Sequence, residues 1–144
     1  MNIDFNFEDV NFDLPDEKSL CDWIDFAVKH EHCFTGNLSY IFCSDEYLWE
    51  MNKKYLGHDY YTDIITFDYV EDNYVSGDMF VSIDRVEDNA KMFNVSRETE
   101  LLRVLIHGVL HLVGYDDLTD EQEAEIHRKE DFYIDIYNKQ FKNI

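Results

Sequence analysis

Residues 107–117 read HGVLHLVGYDD: two histidines four apart, then a glycine and two aspartates. The stretch ends the most apolar part of the chain. Placed on a helix at about 100° per residue, the apolar residues from Leu101 to Val113 cover most of the circumference. Glu100, Arg103, His107 and His111 are left on one stripe roughly 80° wide. A helix so nearly apolar all round is expected to run through a core. Its narrow polar stripe then faces a cleft rather than open water. His107 and His111 are neighbours on that stripe, one turn apart. Gly114 suits the left-handed conformation that ends a helix and turns the chain back. Residues 115–117 are thereby delivered near the histidines.

Working outward, Ser96 can cap this helix, and Thr119 with Gln122 fits a capping box for a last helix over about 119–140. Val86, Ala90 and Phe93 mark a helix before it. TDIITFDYV (62–70) and GDMFVSI (77–83) are rich in β-branched and aromatic residues, and a short polar segment joins them, so an antiparallel hairpin is expected. NIDFNF (2–7) alternates at period two, and NLSYIFCS (37–44) reads as another strand. Between these two, Leu20, Trp23, Ile24, Ala27 and Val28 follow the spacing of a core-facing helix. Ser44 and Asp45 open a helix that ends near Gly57. Strands mixed with about five helices give an α+β or α/β domain, and the strand order is not legible in the spacing.

A chain of 144 residues without a Gly/Ser/Pro-rich linker or a repeat is expected to form a single domain over residues 1–144. The start is acidic and alternating, unlike a secretion signal, and no apolar run reaches the ~18 residues of a membrane span. Cys21, Cys33 and Cys43 show no C-x-x-C spacing and fit reduced thiols in a cytoplasmic protein. A formal net charge of −20 repels phosphate at long range and argues against a general nucleic-acid coat protein.

The helix stripe carries the chemistry. Two imidazoles one turn apart can present nitrogens to one cation at about 2.0–2.1 Å, and Asp116 or Asp117 can add an oxygen. Two nitrogens, one carboxylate and one open position make a catalytic zinc site. Water in the open position would have its pKa lowered from about 15.7 to about 7. The expectation is a metal-dependent hydrolase, with Zn2+ or another divalent transition metal. The helix is zincin-like, but H-E-x-x-H peptidases carry their general base directly after the first histidine. That position is Gly108 here, which disfavours a peptidase and suits close packing.

HGVLHLVGYDD resembles the H-G-x-L-H-L-x-G-Y-D-H signature of the YbeY family of rRNA maturation endoribonucleases, at ten of eleven positions. NKKYLGHDYYTDIITF (52–67) resembles the family's N-x-x-Y-R-x-K-D-x-x-T-D-V-L-S-F, and GDMFVSID (77–84) its G-D-I-x-I-S strand and turn. The resemblance implies a compact α+β domain, a mixed four-stranded sheet packed with about five helices, with a metal at the end of the signature helix. It implies a metal-dependent, single-strand-specific endoribonuclease of ribosomal RNA maturation and ribosome quality control, in the bacterial cytoplasm. Single-stranded rRNA and ribosomal or ribosome-assembly proteins are the partners expected, and a monomer is favoured. By this resemblance His107, His111 and the residue at 117 are the metal ligands.

Two departures stand out. The third ligand is Asp117 where the family usually has histidine, which adds a negative charge and should leave bound water somewhat less acidic. Asp116 matches the family's own aspartate and is expected to orient a ligand histidine or form the turn. Leu56 stands where the family commonly has an arginine, and the lysine two residues on is His58. His58 keeps some donor capacity, and Arg103, on the histidine stripe, is the best-placed substitute cation. These two are the expected catalytic residues beside the metal. The alternative is a ribosome-assembly factor with a structural metal and weak or no nuclease activity. Asp63 is read as either a site residue or the cap of a strand start, with the cap preferred. His30, His32 and His127 are expected at the surface.

Overall fold

The computed structural model describes residues 2–142. The chain runs β1 (Asn2–Phe7), α1 (Glu17–His30), β2 (Phe34–Cys43), α2 (Asp45–Leu56), β3 (Ile64–Asp68), β4 (Tyr74–Ser82), α3 (Ile83–Met92), α4 (Arg97–Val113) and α5 (Asp120–Ile136). The four strands form one sheet in the order β1-β2-β4-β3. β1 pairs parallel with β2 and β2 with β4, whereas β3 is an antiparallel edge on β4. The helices and the hairpin are those read from periodicity, and the mixed sheet is the one the family resemblance implied.

Side-chain alternation sorts the sheet's two faces. Leu38, Tyr40 and Phe42 of β2 join Val75, Met79 and Val81 of β4 in the main core, with α1 and α4 packed over them and α5 against α4. The opposite face is thinner: Cys43, Leu48 and Ile65 form a small cluster under α2. α4 lies inside the main core, with Leu101, Leu105, Ile106, Val109 and Leu110 buried. Two buried side chains bond backbone carbonyls across it: the Tyr40 hydroxyl donates to Leu105 and the Trp23 indole to Tyr133, each at 2.8 Å.

Caps fall where the sequence placed them. Ser44, Ser96 and Thr119 each accept an amide from the first turn of α2, α4 and α5, and Thr119 and Gln122 complete a capping box. β2 begins three residues earlier than its apolar pattern suggests, because the exposed Phe34 and polar Thr35 still find ladder partners in Tyr74 and Val75. α5 is regular only to Ile136, and Tyr137–Phe141 continue as one wider π-type turn. His32, expected at the surface, takes a left-handed φ of 64° at the end of α1. Cys21, Cys33 and Cys43 are free thiols. Among the described residues no helix is long and apolar enough to cross a membrane.

Candidate metal centre

α4 ends at Gly114, whose φ of 118° lies in the region that favours glycine. The amide of Tyr115 bonds the carbonyl of Leu110 at 3.0 Å and that of Gly114 bonds His111 at 3.1 Å. This pair of bonds is a Schellman turn, and it sends the chain back over the helix end. Asp117 is thereby carried to the histidines. Its Oδ2 lies 3.5 Å from Nε2 of His107 and 3.4 Å from Nε2 of His111, and the two nitrogens are 2.9 Å apart. A cation about 2.0–2.1 Å from each atom would see angles of roughly 90–120° between them. The three residues are also the one group of His, Cys, Asp or Glu donors among the described residues that converges closely enough to hold a metal ion.

The other ring nitrogens decide whether those atoms are free to ligate. Nδ1 of His107 is 2.6 Å from Oε2 of Glu130, and Nδ1 of His111 is 2.9 Å from the Tyr115 carbonyl. A carbonyl and a carboxylate only accept, so each Nδ1 carries the hydrogen and donates it. In the neutral rings both Nε2 atoms then bear lone pairs. Two lone pairs facing at 2.9 Å beside a carboxylate repel one another unless a positive charge lies between them. The donor set therefore fits a divalent cation.

Glu130, on α5, is only 1% exposed. Besides His107 it accepts from Arg103 and from Nδ1 of His127, each at 3.0 Å. Burial opposes its ionisation, but those bonds, led by that of His107, hold its carboxyl below the ordinary range. Burial likewise opposes a charge on His107, yet Glu130, Asp63 and Asp117 raise its pKa above the usual value. The field at this centre thus favours positive charge.

The cluster opens into a cleft of about 590 Å³, walled by β3 and by the loop that follows α2. His58, Leu56, Tyr60 and Asp63 line it. Arg103 has a different setting. Its guanidinium donates to Glu130 at 3.0 Å and to Asp131 at 2.7 Å, and it lies with a smaller cavity of about 270 Å³ behind His107. Its charge is committed to carboxylates that orient the centre rather than to the cleft. Asp116 is exposed in the turn, and the Nδ1 atoms it was expected to orient are taken by Glu130 and Tyr115. His127 is exposed, as expected, and its Nδ1 bonds Glu130 at 3.0 Å.

One residue, Glu130, escaped the sequence reading, and another, Asp63, was given the wrong emphasis. Glu130 is 23 residues from His107, and nothing local marks it among the many acids of α5. Asp63, weighed as a site residue or a strand-start cap with the cap preferred, lines the cleft. β3 begins at Ile64, directly after it. Burial raises its pKa while the charge of His107 opposes that rise, and it lines the same cleft as His107, His111 and Asp117. Gly108 performs the packing role expected. A Cβ there would sit 2.7 Å from the Met79 sulfur and 2.9 Å from Ile64 Cδ1, so its absence lets α4 approach β3 and β4.

The family model described as Endoribonuclease YbeY matches residues 2–138. The chain belongs to the YbeY family. YbeY relatives named endoribonuclease include one from Flavobacterium johnsoniae, 49% identical over 94% of this chain and 97% of its own, and one from Amoebophilus asiaticus, 46% identical over 92% and 91%. The solution structure of a Thermotoga maritima protein superposes with a TM-score of 0.68 at 32% identity, covering 96% of this chain and 90% of the other. The α+β architecture that the YbeY resemblance implied is thus shared by a solved structure at moderate sequence identity.

Proposed function

We propose that this chain is a metal-dependent endoribonuclease that cleaves single-stranded RNA in ribosomal RNA maturation and ribosome quality control. The observation that carries the reading is the convergence of Nε2 of His107, Nε2 of His111 and Oδ2 of Asp117, with both rings held in the tautomer that frees those atoms. Membership of the YbeY family supports RNA as the substrate. Zinc suits two imidazoles and one carboxylate. A divalent cation held there supplies Lewis acidity toward water and toward a phosphoryl oxygen. The chain's own residues do the rest. His107, His111 and Asp117 hold the ion, while Glu130 and the Tyr115 carbonyl fix the rings. Asp116 serves the turn. Arg103 keeps Glu130 ionised and in place, a positioning role. His58, on the cleft wall, is the residue that meets the substrate. Ribosomal or assembly proteins are the fitting partners, a monomer is the working state, and the cytoplasm is where such a substrate resides.

A second reading, an assembly factor whose metal is structural, is favoured by one feature: neither lysine nor arginine is among the residues lining the cleft. Cleavage of single-stranded RNA by zinc-loaded wild type and by His111→Ala, with metal content measured on both, separates the two. The nuclease reading expects His111→Ala to lose both metal and more than about a hundredfold in rate. A wild type that holds zinc and folds but never cleaves would favour the assembly factor.

A further inference from the structure

The wall of the metal cleft carries an aromatic pair. The rings of His58 and Tyr60 stack with centroids 5.2 Å apart and planes 17° from parallel. Nδ1 of His58 and the Tyr60 hydroxyl share a hydrogen bond of 3.0 Å. Tyr60 is 54% exposed and Leu56, beside the pair on the same wall, 44%. An exposed loop aromatic ordinarily samples many rotamers, but this segment is tied down. The buried Asn52 donates its side-chain amide to the Tyr60 carbonyl at 3.0 Å, and its own carbonyl accepts from the His58 amide at 3.1 Å. The Trp49 indole donates to Asp59 at 2.9 Å. A partly apolar face is thus held in one conformation at the mouth of the metal centre.

Charge does not explain what that face would hold. The chain carries −20, and no lysine or arginine lines the cleft. Phosphate contacts, the usual source of affinity for RNA, are therefore scarce where the chemistry would occur. Stacking on aromatic rings is the other general source, and every base offers a π-face to it.

We propose that the His58–Tyr60 pair, flanked by Leu56, is a stacking platform for one unpaired nucleobase and that it sets the preference for single strands. The inference rests on the endoribonuclease reading and adds the part of the substrate that is gripped. A base within a duplex already has both faces covered, so it reaches the platform only after unstacking, whereas an unpaired base docks directly. The platform stands apart from the metal ligands in sequence, so substrate grip and metal binding are separable by mutation.

The test uses zinc-loaded protein and a single-stranded 2′-O-methyl oligonucleotide with one 2-aminopurine. Wild type should bind it and quench the 2-aminopurine as the base stacks. Tyr60→Ala should bind about five- to a hundredfold more weakly, with the quenching lost and zinc affinity unchanged. Tyr60→Phe, which keeps the ring, should stay within a few-fold of wild type. A matched duplex should bind weakly to all three. If wild type cleaves single-stranded RNA, yet Tyr60→Ala binds and quenches like wild type, the platform is overturned and the nuclease reading survives. If zinc-loaded wild type neither binds nor cleaves, both fall together.

Discussion

A histidine that ligates a metal has one nitrogen left, and the group that takes it fixes the tautomer. At His107 that group is Glu130, a buried carboxylate that also receives Arg103 and His127. Glu130→Gln keeps the shape but turns an amide N–H toward one of those donors. Zinc affinity should fall by about 10- to 100-fold, as read by competition with a chromophoric chelator. An unchanged affinity would mean that Glu130 does not orient the ring. Glu100, on the same stripe, is 3% exposed, and its Oε1 has no hydrogen-bond partner among the described residues. Burial, reinforced by Asp63 and Glu130 and opposed by Arg103 and His107, raises its pKa from 4.5 to about 7. Between those two values the folded chain keeps a proton that the unfolded chain has lost, so this residue's contribution to stability falls as pH rises through that window. Glu100→Gln should match wild type near pH 4.5 and exceed it above pH 7, by roughly 1–3 kcal/mol. Denaturant unfolding at pH 5 and pH 8 measures the difference.

At the scale of elements, α4 does two jobs that pull against each other. It fills the core with leucine, isoleucine and valine, and it presents a polar stripe. The two are compatible because the stripe is narrow and because Gly108 lets the helix lie close on β3 and β4. Gly108→Ala should be destabilising by about 1–3 kcal/mol despite alanine's better helix propensity, since Ile64 and Met79 must move. A lowered thermal midpoint reports the loss, and an unchanged or raised one would show that β3 yields freely. The turn after α4 is anchored from outside the helix. The Tyr115 hydroxyl donates to Glu31 at 2.7 Å, and Glu31 also receives Tyr133 and Lys129. The loop that carries Asp117 is therefore tied to both α1 and α5.

For the whole molecule, the topology is what assembles the centre. β3 is the antiparallel edge of the sheet, so its start and the loop after α2 form one wall of the cleft opposite the end of α4. α5 returns along α4 and brings Glu130 behind His107. The acidic excess is spread over the chain, with most of its basic groups spent in ion pairs such as Arg85–Asp45 and Arg97–Glu87. A molecule so charged gains little from long-range attraction to RNA. Its grip on a substrate has to be made at short range, in the cleft.

The sequence by itself determined the elements and the nearest ligands, because both depend on short spacings. Helical and strand periods are read over a few residues, and so are the caps. His107 and His111 share a face by being four apart, and a left-handed glycine three residues later can only turn the chain back. Spacing left Asp116 and Asp117 open, the family resemblance pointed to Asp117, and tertiary structure brought its carboxylate to the histidines. Tertiary structure alone decided that Glu130 and the Tyr115 carbonyl choose the tautomers and that Arg103 is spent on Glu130 and Asp131. It alone placed Asp63 in the cleft and stacked His58 on Tyr60. These depend on how α5, β3 and one loop pack against α4, contacts between distant residues that leave no period along the chain.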